Sequence, residues 1–139
     1  YNLKNKEFTN YDFMSFFIKT DSVNKYLTNK NEKFKIYAIR GMIKYNGDLD
    51  GCIKKRNEIE DVLSQMFKNS KKTETEFNHS VDPTGNSKVY AINFELESLG
   101  KIQIDCMDFD EIFRNKRGWA EGLTLGITTV EFSKWIGNR

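Results

Sequence analysis

The sequence predicts a single α+β domain over residues 1–139, a mainly antiparallel sheet of about five strands with N-terminal, middle and C-terminal helices on one face. Three observations carry that expectation. Tyr90, Ile92, Phe94 and Leu96, then Ile102, Ile104 and Cys106, then Leu123, Leu125 and Ile127 each alternate with polar or small residues, so three successive runs have one apolar face each. Between Asp50 and Lys68, Cys52, Ile59, Val62, Leu63, Met66 and Phe67 recur at helical spacing. Finally, the runs are separated by short turn signals: Asn46-Gly47-Asp48, Asp82-Pro83-Thr84-Gly85-Asn86 and Leu99-Gly100.

Taken in order, Tyr11, Phe13, Phe16, Phe17, Val23, Tyr26 and Leu27 cluster at intervals of three or four, which predicts two short helices between Asn10 and Leu27, capped between them by Asp21 or Ser22. Lys30 to Lys33 is polar and reads as a loop. Phe34 to Tyr45 is apolar on both alternating sets, as a central strand would be, with Gly41 marking a bulge; a helix is the alternative. Asp48 and Asp50 favour the start of the middle helix, and Lys68, Lys71 and Lys72 its end. Thr73 to Ser80 alternates with Phe77 as its only large apolar residue, the pattern of an edge strand with two wet faces. Thr128 and Glu131 form a capping box for a last helix whose inner side carries Phe132, Trp135 and Ile136.

Twenty-two Lys and Arg stand against twenty Asp and Glu, so the formal charge of +2 excludes indiscriminate phosphate binding and leaves nucleic acid only a local patch. Eleven Phe, six Tyr and two Trp predict an aromatic core. Cys52 and Cys106 fall in a predicted helix and a predicted strand rather than at metal-ligand spacing, and are expected to be reduced, half-buried thiols not bonded to each other. With no apolar run near the ~18 residues of a membrane span and no charged-then-apolar opening, a soluble protein of a reducing cytoplasm is expected, although a cleaved leader would leave no trace.

Chemistry concentrates between Asp105 and Glu121. The candidate binding residues are Asp108, Asp110, Glu111, Arg114, Arg117 and Trp119; no catalytic residue, metal ligand or cofactor is assigned. Arg and Trp dominate interface energetics when buried, and clustered acids can meet a basic rim on a partner protein. The competing expectation is that Trp119 packs under its own loop while the charges stay in water. Clustered carboxylates also hold Mg²⁺, so a metal-dependent nuclease or nucleotidyltransferase using Asp105, Asp108, Asp110 and Glu111 is the alternative function. Asp48, Asp50 and Asp105 are similar to the acids of polymerase-beta-type nucleotidyltransferases. Arg40-Gly41-Met42 replaces the Gly-Ser turn of that family, however, and a helix N-terminus explains the two early acids. His79 is the only histidine, which excludes multi-histidine metal sites, and it reads as a passive surface residue. No Walker loop, dinucleotide-binding glycine turn, Cys-x-x-Cys pair or nucleophile elbow occurs.

The tail from Gly118 to Gly137, with Trp119, Glu121, Gly122, Leu123, the strand through Ile127, then Glu131, Phe132 and Trp135, resembles the ends of small bacterial immunity proteins that neutralise polymorphic or contact-dependent toxins. The resemblance implies a cytoplasmic, non-enzymatic antitoxin that binds one cognate toxin domain and blocks its active site. No contact residue transfers with it. The charge of +2 further implies a toxin less basic than most nucleases.

Overall fold

The computed structural model describes residues 10–20, 34–97 and 100–137. Six strands and three helices follow in the order β1 (Phe13–Thr20), β2 (Phe34–Lys44), α1 (Leu49–Met66), β3 (Lys71–Asn78), β4 (Lys88–Leu96), β5 (Gly100–Asp108), α2 (Glu111–Arg117), β6 (Gly122–Thr128) and α3 (Val130–Gly137). The strands form one sheet in the order β1-β2-β6-β5-β4-β3, with every neighbouring pair antiparallel. Among the described residues, no helix is long and apolar enough to cross a membrane.

The α+β class and the antiparallel sheet agree with the sequence reading, but the sheet has six strands rather than about five. The extra one is β1, where a helix was expected. Phe13, Phe16, Phe17 and Ile18 fit either period; aromatic and β-branched residues favour a pleated surface, and pairing with β2 decides the outcome. The expected helix through Val23, Tyr26 and Leu27 lies outside the described residues. Phe34 to Lys44 is the strand alternative, not the helix. Gly41 is in regular register with Met14 and Leu125, and the bulge falls instead between Phe17 and Ile18. Gly41 serves close approach: a Cβ there would stand 2.6 Å from a Tyr11 ring carbon.

Helix α1 begins where Asp48 accepts a hydrogen bond from the Gly51 amide at 2.9 Å and Asp50 complements the N-terminal end of the helix dipole. It crosses one face of the sheet, over a core of Cys52, Ile92, Phe94, Ile102, Ile104, Cys106 and Leu123. The alternation assigned to β4, β5 and the start of β6 is therefore the observed one. The helical stripe is rotated from expectation: Leu49, Ile53, Ile59, Leu63 and Phe67 pack on the core, whereas Val62 and Met66 are 55% and 66% exposed. Arg56 is buried along the same helix, its guanidinium 2.7 Å from Glu74 on β3, so a charged residue takes an inward position that the hydrophobic pattern could not reveal.

Cys52 and Cys106 are joined in a disulfide that ties α1 to β5 across 54 residues of sequence. The expectation of two separate thiols is thus wrong. Both residues were correctly assigned to inward faces, but helix-on-sheet packing brings their Cα atoms within 6.0 Å, a distance sequence spacing does not disclose.

Helices lie on both faces rather than one. Gln103 and Asp105 alternate with Ile104, so they point away from α1, and α3 sits over this second face with Phe132 buried against the Phe17 ring, 5.0 Å between centroids. The cap of α3 is Thr129, one residue later than expected: its Oγ1 accepts from the Phe132 amide, while Glu131 pairs with Lys35 on β2. Trp135 consequently belongs to the second face and is 51% exposed, outside the main core.

Candidate functional site

The segment between β5 and β6 is held by its own polar residues. Asp110 accepts from the Ile112 and Phe113 amides at 3.1 and 3.2 Å and so caps α2, whose last turn closes on Gly118 in the left-handed conformation, with its amide donating to the Arg114 carbonyl. The Asp110 amide donates to Ser87 Oγ at 3.0 Å, and Ser87 in turn donates to Asp82. Asp82 gathers four donors, the amides and hydroxyls of Thr84 and Ser87, so the Asp-Pro-Thr-Gly-Asn turn between β3 and β4 is an anchor for α2 as well as a connection. The Ser87 and Thr84 hydrogen bonds hold the Asp82 carboxyl far below the usual carboxylate range.

Glu121 is the second anchor. Its buried carboxylate accepts from Arg114 Nη1 at 2.6 Å, from the Gly47 amide at 2.7 Å and from the Phe109 amide at 3.2 Å, joining the β2–α1 turn, the start of the α2 segment and α2 itself. A carboxylate with three donors is a stable way to bury charge. Asp108 lies near it, and burial, reinforced by the Glu121 charge, raises its carboxyl above the ordinary value against the pull of Arg114.

The six expected binding residues therefore divide. Asp110 and Arg114 brace the loop, and Asp108 is partly buried beneath it. Glu111 and Arg117 are exposed, and the Arg117 guanidinium lies 5.8 Å from the Phe113 ring centre. Trp119 packs on Phe109 and Phe113 at 5.3 and 5.5 Å between ring centres and is 37% exposed. Ile112, not singled out from the sequence, is 79% exposed on α2 and is the most exposed large apolar residue of the described structure.

Asp105, Asp108, Asp110 and Glu111 do not converge. Asp105 faces the α3 side of the sheet, Asp110 caps a helix and Glu111 points to solvent, and among the described residues no three groups of metal-binding type meet. The cluster that the metal-dependent alternative requires is not assembled here.

A different constellation occupies the second face. Two cavities of about 260 and 170 Å³ share Arg40, Gln103, Asp105 and Thr124, and so form one groove across β2, β6 and β5. Phe77 and His79 stand at one end, Phe132 and Trp135 at the other. The groove exists because the positions beside its polar floor are small: Asp105 is flanked in register by Ala91 and Thr124, and Gln103 and Arg40 both neighbour Gly126. Gln103 Nε2 donates to Asp105 Oδ2 at 2.8 Å. Burial raises the Asp105 carboxyl above the ordinary carboxylate value; the Gln103 hydrogen bond, the Arg40 charge, Thr124 and His79 oppose the shift. The sequence reading noted only that Gln103 and Asp105 alternate with the apolar residues of their strand and considered Asp105 as a metal-binding acid; in a sequence a polar residue facing water and one lining a groove look alike. His79, read as passive, belongs both to the groove and to the ring cluster, 5.1 Å from Phe109 and 6.1 Å from Trp119. Compared with known proteins, the chain matches no family model, no curated protein and no solved structure.

Proposed function

We propose that the chain is a protein-binding module of the toxin-neutralising kind implied by its C-terminal resemblance, and that the α2 segment is the surface it lays against the active site of a cognate toxin domain. The observation that supports this is the combination of rigidity and exposure at α2. Asp110, Gly118 and the Arg114 to Glu121 pair fix the backbone, while Ile112, Arg117 and Trp119 project from it. A surface already ordered before association loses little conformational freedom on binding, and aromatic and Arg anchors are the residue types that give such surfaces their affinity. The outward charges are Glu111, Lys116 and Arg117, a mixed set that suits a partner rim of mixed or acidic character and accords with a toxin less basic than a typical nuclease.

The cytoplasmic placement expected from the sequence rested in part on reduced cysteines. With Cys52 and Cys106 paired, a compartment that oxidises thiols fits better, and the partner is then one met outside the reducing cytoplasm.

The test is capture by the immobilised chain of the product of the adjacent gene and of proteins from the source cell, comparing the parent with Arg117→Ala and Ile112→Ala. One specific partner lost by both variants at unchanged melting temperature is the expected result. Equal capture by all three refutes the placement of the surface, and capture of nothing refutes the antitoxin reading.

A further inference from the structure

The groove on the second face does not take part in the surface proposed above, and its chemistry costs stability unless it is used. Asp105 and Thr124 are buried in its floor, and Asn93, buried opposite Gln103 in the neighbouring strand and outside the groove's lining, has an Oδ1 atom without a hydrogen-bond partner among the described residues. Burying an unmatched amide oxygen and a carboxylate is unfavourable, and a fold that needed only to cover this face would be served by Val or Thr in place of Asn93 and Asp105. Arg40, exposed on β2, lines both cavities beside Asp105, and its positive charge acts on that carboxylate.

We propose that this groove binds a neutral, polyhydroxylated ligand, a short oligosaccharide, through Arg40, Gln103, Asp105 and Thr124. Arg40 can only donate and an ionised Asp105 can only accept, so a ligand lying between them must offer an acceptor and a donor side by side. A hydroxyl is both at once, and neighbouring ring hydroxyls present such pairs at the spacing of adjacent side chains. The single cation and single anion at the centre also select against strongly charged ligands: a phosphate group would face the Asp105 carboxylate, and a polyamine would face Arg40. Phe77 and Met107 at one end supply an apolar surface for the C–H face of a sugar ring. Continuity of the two cavities gives the site length, so more than one ring can lie along it, within the size class of small-molecule sites.

The experiment is a titration of the full, oxidised, ¹⁵N-labelled chain with maltotriose, cellotriose and chitotriose, followed by amide chemical shifts, with sodium acetate and glycine as charged comparison ligands. At least one trisaccharide is expected to give saturable shifts centred on Arg40, Gln103, Asp105 and Thr124. Arg40→Ala is expected to weaken that binding by about tenfold or more, the factor for losing hydrogen bonds from a charged group. Gly126→Leu, which fills the floor beside Arg40 where a Cβ alone has ordinary room, is expected to abolish it at a melting temperature near that of the parent. The proposal is overturned if no trisaccharide shifts these amides at millimolar concentration, if acetate or glycine does so instead, or if both variants bind as the parent does.

Discussion

The Cys52–Cys106 bond closes a loop of 54 residues between the first turn of α1 and the centre of the sheet, and its removal is a perturbation whose size follows from that length. In the chain-entropy account, cross-linking residues this far apart removes about 4 kcal/mol of freedom from the unfolded chain. A domain of this size is stable by about 5–15 kcal/mol, so reduction takes a large share of the whole. With an unfolding entropy of about 2.1 cal/mol/K per residue over 139 residues, the melting temperature falls by about 14 °C. The assay is thermal and urea unfolding of the oxidised chain, of the chain held in a thiol-free reductant, and of the double variant Cys52→Ala/Cys106→Ala. The reduced chain and the double variant should be destabilised alike, and a thiol titration of unreduced, denatured protein should find no free thiol. Two free thiols in protein prepared under oxidising conditions, or identical melting before and after reduction, would refute both the pairing and the compartment argument built on it.

Other expectations follow from single contacts. Phe94→Ala, at the fully buried centre of the core, should cost about 3–5 kcal/mol by urea unfolding. Arg114→Ala leaves Glu121 buried without its cation and should cost about 3 kcal/mol, whereas Asp110→Ala removes one helix cap and should cost about 1 kcal/mol. Asp82 has a depressed carboxyl, so its contribution is present above the unfolded value of about 3.9 and is lost as the pH falls below it; the acid limb of stability should be shallower in Asp82→Asn. Asp105 has the opposite sign: its raised carboxyl contributes fully below about 3.9 and loses that contribution as the pH rises through the folded value, so Asp105→Asn should gain stability relative to the parent between pH 4 and 7.

What the sequence disclosed and what it withheld divide along physical lines. The strand phases of β4 and β5, the position of α1 and the edge character of β3 were legible because each depends on a local period or on composition. Phe13 to Ile18 misled because its apolar residues satisfy two periods, and only pairing with β2 chooses between them. Val62 and Met66 misled because Arg56, with Glu74 as its partner, takes the inward position that an apolar count would assign elsewhere. The disulfide, the Glu121 bracket and the groove are all long-range: Glu121 reaches Gly47 across 74 residues, and Arg40 meets Asp105 only because β6 inserts between β2 and β5. The α2 segment was found by its density of charge and its tryptophan, but which of its residues brace and which project was decided by caps and pairs that charge density does not encode.

The central claim is that α2 meets the partner, and amide hydrogen exchange of the oxidised chain, alone and in complex with the captured partner, tests it most directly. Binding is expected to slow exchange over residues 109–119 and to leave the exposed face of α1, around Val62 and Met66, unchanged. Protection over α1 or β3 with none between Phe109 and Trp119 would contradict the account.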